Sequence, residues 1–477
     1  MVITSSRVRR LRLPLALLAT RVAAFASARL GRGGTSLPGL AGLRLEPDLV
    51  RRLGSRLGHG ALVVAGTNGK TTTSAMLASA LAADARSVLH NRAGSNMLRG
   101  IATTLAARSK LNGSLRDGEA LTGLFEVDEA ALPSVAAQLA PRAVVLTNLF
   151  RDQLDRYGEL QGIADRWRIA FEALPIETAL VVNADDPLVC SLGLVWPGKV
   201  VSYGIEDWGA EAAAGELQIA ASADSLYCPR CAALLAFSMV SYAHLGRWSC
   251  ANCGLRRPRP EVRASVQEVS AQGSRLRVET PEASVLLALQ LPGRYNVYNA
   301  LAALAGARAV GVGLEPAARA VASTRGAFGR AEVLQAAGRR LQLFLIKNPT
   351  GADEVLRVVA AAPGQATLLA LLSDRAADGH DVSWIWDAQF ELVQHWEGPV
   401  ICGGTRAADM ALRLKYAGLP GHAAVEAGGE ARALRAALAA TPEGGSIVVI
   451  ATYTAMLAAR HHLARAGHVA QYWEARV

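Results

Sequence analysis

Ala61-Leu-Val-Val-Ala-Gly-Thr-Asn-Gly-Lys-Thr-Thr-Thr73 sets the plan of this chain. The apolar run Ala61 to Ala65 predicts a buried strand, Gly66 to Lys70 a tight turn, and the alanine-rich pattern Thr71 to Ala82 a helix. Strand, glycine loop and helix in that order point backbone N–H groups at a phosphate. Gly66, Thr67, Asn68, Gly69, Lys70, Thr71 and Thr72 are therefore candidate nucleotide-binding residues. The Lys70 ammonium can reach the outer phosphates, and the hydroxyl of Thr71 or Thr72 can hold Mg2+. Val64 stands where the strict G-x-x-x-x-G-K-[ST] pattern has its first glycine.

Around this loop, apolar strands alternate with helical stretches. Val88-Leu-His-Asn, Leu124-Phe-Glu-Val-Asp-Glu129, Ala143-Val-Val-Leu-Thr-Asn148 and Ala179-Leu-Val-Val-Asn183 each end in polar residues. That spacing suits right-handed βαβ units, whose ligands sit beyond the carboxyl ends of the strands. Glu126 is the strand-end acid best suited to Mg2+, a hard cation that prefers oxygen ligands. Asp128 and Glu129 are weaker candidates and suit capping of the next helix.

The 477 residues allow two or three domains, and 51% of them are hydrophobic, enough for a sizeable core. Fifty basic against forty acidic side chains give a net charge of +10. No long basic run with interleaved aromatics occurs, which argues against a nucleic-acid partner. Near the N-terminus, Arg7, Arg9, Arg10 and Arg12 precede an apolar run from Leu13 to Ala19, and Ala26-Ser-Ala28 imitates a signal cleavage site. Pro14 and Arg21 interrupt that stretch, and it is too short to span a bilayer. Residues 7–30 read as a basic amphipathic helix with two destinations open, the membrane face or the protein's own core.

Four of the six cysteines form Cys228-Pro-Arg-Cys231 and Cys250-Ala-Asn-Cys253, separated by eighteen residues. This is zinc-ribbon spacing, and in a long chain with a nucleotide loop it indicates metal rather than disulfides and a reducing cytosol. Four thiolates close the tetrahedron, so the zinc is structural. Tyr242, Arg247 and Trp248 in the spacer are open to a second reading as a partner surface. Val262 to Leu291 alternates as a β-meander, and Asn296 and Asn299 then share one helix face. Cys402 lacks a nucleophile elbow and reads as a buried thiol.

Several of these segments resemble the Mur ligase family, ATP-dependent enzymes that activate a carboxylate as an acyl phosphate for attack by an amine. The segments are Gly66-Thr-Asn-Gly-Lys-Thr-Thr-Thr73, Phe125-Glu-Val-Asp-Glu129, Thr147-Asn-Leu-Phe-Arg-Asp-Gln-Leu-Asp155 and Pro292-Gly-Arg-Tyr-Asn-Val-Tyr-Asn299. Gly329-Arg-Ala-Glu332 adds a hinge motif. The resemblance places Glu126 and Thr71 at Mg2+, Asn299 near the adenine, and Arg330 within reach of a phosphate in a closed state. Asn183, Asp185 and Asp186 are structural or line the nucleotide cleft. Gln153 replaces the family's histidine, which leaves its second metal site open. Leu345-Ile-Lys-Asn-Pro-Thr-Gly351 departs from the family's D-Y-A-H-N-P, and Lys347 becomes a candidate for the developing phosphate charge or else a surface lysine.

The zinc cysteines and Ala377-Asp-Gly-His-Asp-Val-Ser-Trp-Ile-Trp-Asp387 are similar to the amidating subgroup of that family. This implies ATP, Mg2+ and structural Zn2+, with amidation of the D-glutamate α-carboxylate of the lipid II stem peptide at the cytoplasmic membrane face. It implies a heterodimer with a separate glutaminase, GatD, which makes ammonia with a Cys–His pair. The last domain lends that histidine an aspartate, Asp381 first and Asp378 second. The bland alternative makes these acids helix caps, with Trp384 and Trp386 in the core. The expected architecture is α/β. A basic N-terminal helix and loop (1–45) precedes a Mur ligase-like central P-loop domain (46–325) with a four-cysteine zinc ribbon inserted at about 222–258, and a C-terminal Rossmann-like α/β domain (326–477) follows. Two rivals are an amino-acid ligase resembling folylpolyglutamate synthase and a non-catalytic zinc-ribbon scaffold.

Overall fold

The computed structural model describes residues 3–29, 36–91, 95–152, 160–209, 223–270, 272–324, 330–360, 365–419, 424–426 and 428–469. The central sheet begins with six parallel strands. These are β1 (Ala61–Ala65), β2 (Ser87–His90), β3 (Leu121–Val127), β4 (Ala143–Leu146), β5 (Ala179–Asn183) and β6 (Val200–Trp208), in the order β6-β5-β4-β1-β3-β2. Every residue of β1, β4 and β5 is buried, which is why they read as unbroken apolar runs rather than alternating ones. One face carries the helices Lys70–Ala83 and Arg294–Ala309, packed through Met76, Leu77, Val297 and Leu301. The other face carries the helices Leu98–Arg108, Leu132–Leu139 and Leu160–Glu172, packed through Ile101, Leu105, Val135 and Trp167. Each such side chain contributes about 1.5–3 kcal/mol on burial.

After β6 the chain leaves the sheet to form a two-stranded ribbon, β7 (Ala236–Tyr242) and β8 (Leu245–Ser249). It returns as β9 (Val262–Ser270), parallel to β6, and continues antiparallel through β10 (Gly273–Glu279) and β11 (Ser284–Leu289). This is the expected meander, widening the sheet to nine strands.

The helical pattern expected from Leu40 to Leu57 is two helices, Ser36–Leu45 and Leu49–Gly54. Pro47 lies between them and disfavours helical backbone at Glu46. The N-terminal helix Ile3–Arg29 docks on the core through Leu13, Ala16, Leu17 and Thr20, so one of its two open destinations is observed. Among the described residues no helix is long and apolar enough to cross a membrane.

The second sheet comprises β12 (Arg330–Ala336), β13 (Arg339–Leu345), β14 (Thr367–Leu371), β15 (Val400–Gly403), β16 (Ala424–Val425) and β17 (Ser446–Ala451). Its order is β12-β13-β17-β14-β15-β16, parallel except for β12. Cys402 is fully buried in β15. The helix Pro349–Ala360 follows β13 and buries Glu354, 4% exposed.

Burial pushes the Glu354 carboxyl up to about 7, against the lowering influence of Arg357 and Arg294. The unfolded chain releases this proton near 4.5, the folded chain near 7. The neutral acid therefore supports the fold fully below pH 4.5, and that support is lost as pH rises through 7. Glu354→Gln is expected to raise the melting temperature at pH 8, corresponding to roughly 1–3 kcal/mol, and to change it little at about pH 4.5. Melting curves at both pH values check this; equal shifts at both would exclude the ionisation as the cause.

Candidate functional site

The loop from Gly66 to Gly69 leaves β1 and enters the helix Lys70–Ala83. Gly66 (φ +134°) and Gly69 (φ +85°) adopt backbone that side chains disfavour. A β-carbon at Gly66 would strike the Thr147 hydroxyl, and one at Gly69 the Asn299 side chain. The loop is fixed from the end of β4. Thr67 N–H donates to the Asn148 carbonyl (2.9 Å), and Asn68 N–H to Asn148 Oδ1 (2.8 Å). Thr147 Oγ1 donates to the Asn68 carbonyl (2.8 Å), and the Thr67 hydroxyl exchanges hydrogen bonds with the Phe150 backbone at 3.1 Å. The N-cap position is Gly69, which has no side chain with which to cap the first turn of the helix. Its N–H groups and positive dipole end, together with the tight glycine cradle, fit a phosphate chain. Thr71 is half-buried and Thr72 buried beside it.

Lys70 is 7% exposed and lies back over the loop, donating to the carbonyls of Gly66 and Thr67 and to Glu129 Oε2 (3.0 Å). Burial works against its charge, but Glu129, Glu126 and Asp128 more than offset this and hold its pKa above the ordinary lysine value. Burial likewise opposes ionisation of Glu129, yet Lys70 and then Lys347 keep its carboxyl below the usual range. The expectation of Glu129 as a helix cap is therefore corrected: it is the buried counter-ion of the loop lysine. The N-cap position of the helix Leu132–Leu139 is Ala131, which offers no side-chain cap. Asp128 Oδ1 accepts from Ala130 N–H (3.2 Å). Glu126 is half-buried at the end of β3, its backbone N–H and carbonyl both held by the Asn91 side chain.

The C-terminal domain enters the same cleft. Lys347 pairs with Asp152, whose side chain is 9% exposed. Burial raises the Asp152 pKa, opposed by Lys347. Asn348 and Asn68 exchange amide hydrogen bonds at 3.1 and 3.3 Å, joining the phosphate loop directly to the start of the helix Pro349–Ala360. Lys347 is thus half-buried in an ion pair rather than a free surface lysine. Asp152 and the Asn68–Asn348 pair were not among the expected site residues.

Asn299 and Asn296 share a face as expected. Asn299 Nδ2 donates to Asn296 Oδ1 (3.0 Å), while Asn299 Oδ1 accepts from Thr73 (3.4 Å). Asn183, Asp185 and Asp186 are fully buried. Asp186 Oδ1 caps the helix Pro187–Val195, and its Oδ2 accepts from Leu149 N–H (2.9 Å). Gln153, Asp155 and the side chain of Arg330 lie outside the described residues.

The four ribbon thiols lie with their sulfurs within 4.8 Å of one another. The two halves repeat one geometry. Ala232 N–H donates to the Cys228 carbonyl (2.8 Å) as Gly254 does to Cys250 (3.0 Å), and both residues have left-handed backbone. The Asn252 side chain and the Ala233 N–H pull the Cys231 thiol down to about 6. Four convergent thiols of this kind fit a structural zinc. The apolar cluster they complete, Leu235, Trp248 and Leu255, is too small to hold the ribbon alone. Trp248 and Tyr242 are buried, which corrects the partner-surface reading for both; Arg247 is exposed and reaches Glu206. The ribbon is clamped to β5 through Trp248 Nε1 on the Ala184 carbonyl (3.0 Å) and Arg257 on Asp185 (2.5 Å). Cys253→Ser, or zinc removal by a chelator, is expected to lower the melting temperature and red-shift Trp248 emission. Unchanged melting and emission after chelation would remove zinc from the account.

In the C-terminal domain, Asp378 is 7% exposed, and its two oxygens are taken by the N–H (2.8 Å) and hydroxyl of Thr454. Asp381 is exposed and accepts from the Ser383 N–H (2.8 Å), opening a tight 3-10 turn at Ser383–Trp386. The Ser383 hydrogen bonds hold its carboxyl below the usual range. Ile385 takes the core position, whereas Trp386, a core residue in the helix-cap alternative, is 48% exposed. Its ring meets exposed Tyr416 edge-on at 5.7 Å, on a platform fixed by buried Arg413, which donates to the carbonyls of Ile385 (3.0 Å) and Ala388 (2.7 Å).

Two families match this chain: the Mur ligase middle domain over residues 64–252, and the MurT ligase C-terminal domain over residues 345–456. The MurT subunit of lipid II isoglutaminyl synthase from Streptococcus pneumoniae is 35% identical over 458 residues, 95% of this chain and 97% of that protein. The chain belongs to the MurT family. The Staphylococcus aureus MurT subunit is 32% identical over 83% of this chain and 86% of its own length. Solved folds agree. A pseudomurein peptide ligase type C from Methanothermus fervidus superposes with a TM-score of 0.63 at 20% identity, covering 85% of this chain and 78% of that one. MurF from Acinetobacter baumannii does so with a TM-score of 0.62 at 19% identity, covering 89% and 81%. The MurT C-terminal match begins at residue 345, where Asn348 meets Asn68 of the phosphate loop and Lys347 pairs with Asp152.

Proposed function

We propose that this chain is the ATP-consuming subunit of a glutamine-hydrolysing lipid II isoglutaminyl synthase in peptidoglycan synthesis. The observation that carries this is the match to the pneumococcal MurT subunit along nearly the whole of both chains. A closed phosphate cradle and a separate exposed acid on the C-terminal domain support it. The three units are residues 1–45, 46–325 with the ribbon, and 326–477.

The γ-phosphoryl group of ATP passes to an oxygen of the D-glutamate α-carboxylate, giving an acyl phosphate and ADP. The ammonia nitrogen then attacks the acyl carbon, the C–O bond to phosphate breaks, and the α-amide forms. Residues 66–72 hold the phosphates, with Lys70 offsetting their charge at the transition state. Asn299 borders the nucleotide, and the family resemblance assigns Arg330 to its phosphate in a closed state. Thr71 and Glu126 would hold Mg2+, which neutralises phosphate charge when bound. Lys347 supplies a second cation from the C-terminal domain. The partner is a GatD-like glutaminase whose histidine is oriented by Asp381, beside the Trp386–Tyr416 pair. The lipid-linked substrate puts the reaction at the cytoplasmic membrane face.

Purified chain with lipid II is expected to release ADP in response to ammonium, and in response to glutamine once the glutaminase is added. Turnover with free amino acids in place of ammonium would instead establish an amino-acid ligase. Absence of ATP binding would leave a zinc-ribbon scaffold.

A further inference from the structure

Among its described side chains, the helix Ile3–Arg29 presents two apolar faces and buries one of them. Leu13, Ala16, Leu17 and Thr20 are buried against the central domain. Diametrically opposite run Leu11, Leu15, Leu18, Val22 and Phe25, each 50–61% exposed. Their spacing of four, three, four and three residues keeps them in one row along the helix. Single exposed apolar side chains are ordinary, but an unbroken row of five marks a surface that meets something apolar.

Charge identifies what it meets. The first 45 residues contain eight arginines and no acid; Glu46 is the first. Arg12 and Arg29 are exposed on this helix, the latter stacked on Phe25 at 4.5 Å. On the adjoining helix Ser36–Leu45, Leu37, Arg44 and Leu45 are exposed. An apolar row flanked by guanidinium groups matches a bilayer surface with anionic headgroups, where chains accept the leucines and phosphates the arginines. A second copy of this chain would bring like charge against like. The helix is about 40 Å long at 1.5 Å per residue and is docked along its buried side, so it lies along a membrane rather than entering it.

We infer that the row Leu11, Leu15, Leu18, Val22 and Phe25, with its flanking arginines, is a membrane-docking surface for anionic lipid. The link to a lipid-borne substrate rests on the proposed amidation; the docking itself does not.

The test uses the full chain and vesicles without lipid II, ATP or glutaminase, so its failure leaves the amidation reading standing. The chain is expected to co-sediment at least about ten-fold better with phosphatidylcholine vesicles carrying roughly 30 mol% phosphatidylglycerol than with phosphatidylcholine alone. Leu15→Glu/Leu18→Glu/Val22→Glu should lower that binding about ten-fold or more, with melting temperature and ATP affinity unchanged. As a conservative probe, Phe25→Trp should give an indole emission that shifts to the blue on adding anionic vesicles. Vesicle-independent wild type, an equally bound triple variant or an unshifted emission from the Phe25→Trp protein would each overturn the inference. So would a wild-type dimer that the triple variant dissolves without any vesicle binding.

Discussion

Lys70→Met is expected to lower ATP-driven turnover by roughly 10²–10³-fold, whether glutamine or ammonium supplies the nitrogen. In the proposed mechanism the lysine acts on phosphate charge, upstream of the step at which the nitrogen source matters, so both routes are expected to fall together. The variant has a second effect that needs separating. Lys70 and Glu129 form a buried pair at 3.0 Å with side chains 8% and 4% exposed. Removing one partner strands the other charge, which costs roughly 3–5 kcal/mol where no relaxation occurs. Lys70→Met/Glu129→Gln removes the stranded charge and is expected to recover most of the melting temperature while leaving turnover as low as in the single variant. Steady-state ADP release and melting curves of the three proteins check this. Recovered activity in the double variant would falsify the assignment of Lys70 to the phosphates, since its role would then be to neutralise Glu129.

What the sequence made legible follows from how local each signal is. The loop after β1 was readable because Gly66, Gly69 and Lys70 carry their geometry within five residues. The ribbon was readable because two C-x-x-C knuckles repeat one turn. Glu129 was misread because its role depends on where the end of β3 points, not on its spacing from the helix Leu132–Leu139. The Asn68–Asn348 pair joins residues 280 apart, and no local pattern encodes it. The tryptophan between the cysteine pairs illustrates the reverse error. An aromatic between cysteines looks like a recognition surface, yet Trp248 is 1% exposed, packed against the cysteines, Leu235 and Leu255 with its Nε1 on the Ala184 carbonyl. In the D-G-x-D segment the family resemblance ranked Asp381 above Asp378, and the fold adds a difference no local pattern encodes, the packing of Asp378 against Thr454 of the helix Tyr453–Arg465.

That distinction underlies the second large effect. Asp381→Asn is expected to cut glutamine-driven amidation by roughly 10⁴-fold, the scale of neutralising a triad acid, and to leave ammonium-driven amidation unchanged. Asparagine retains an oxygen for the Ser383 N–H, so the turn that presents Trp386 persists and only the charge is lost. On the proposed triad, loss of that charge leaves the partner's imidazole no longer held in the correct tautomer. Asp378→Asn is the contrasting case. Its carboxylate already serves Thr454 inside the domain, so the expected loss is one of stability, about 1–3 kcal/mol, with both nitrogen sources affected alike. The ratio of glutamine to ammonium turnover, measured in the assembled complex, therefore separates the two acids: it collapses for Asp381→Asn and holds for Asp378→Asn. The opposite pattern would move the shared acid to Asp378 and require its Thr454 contacts to open when the partner binds.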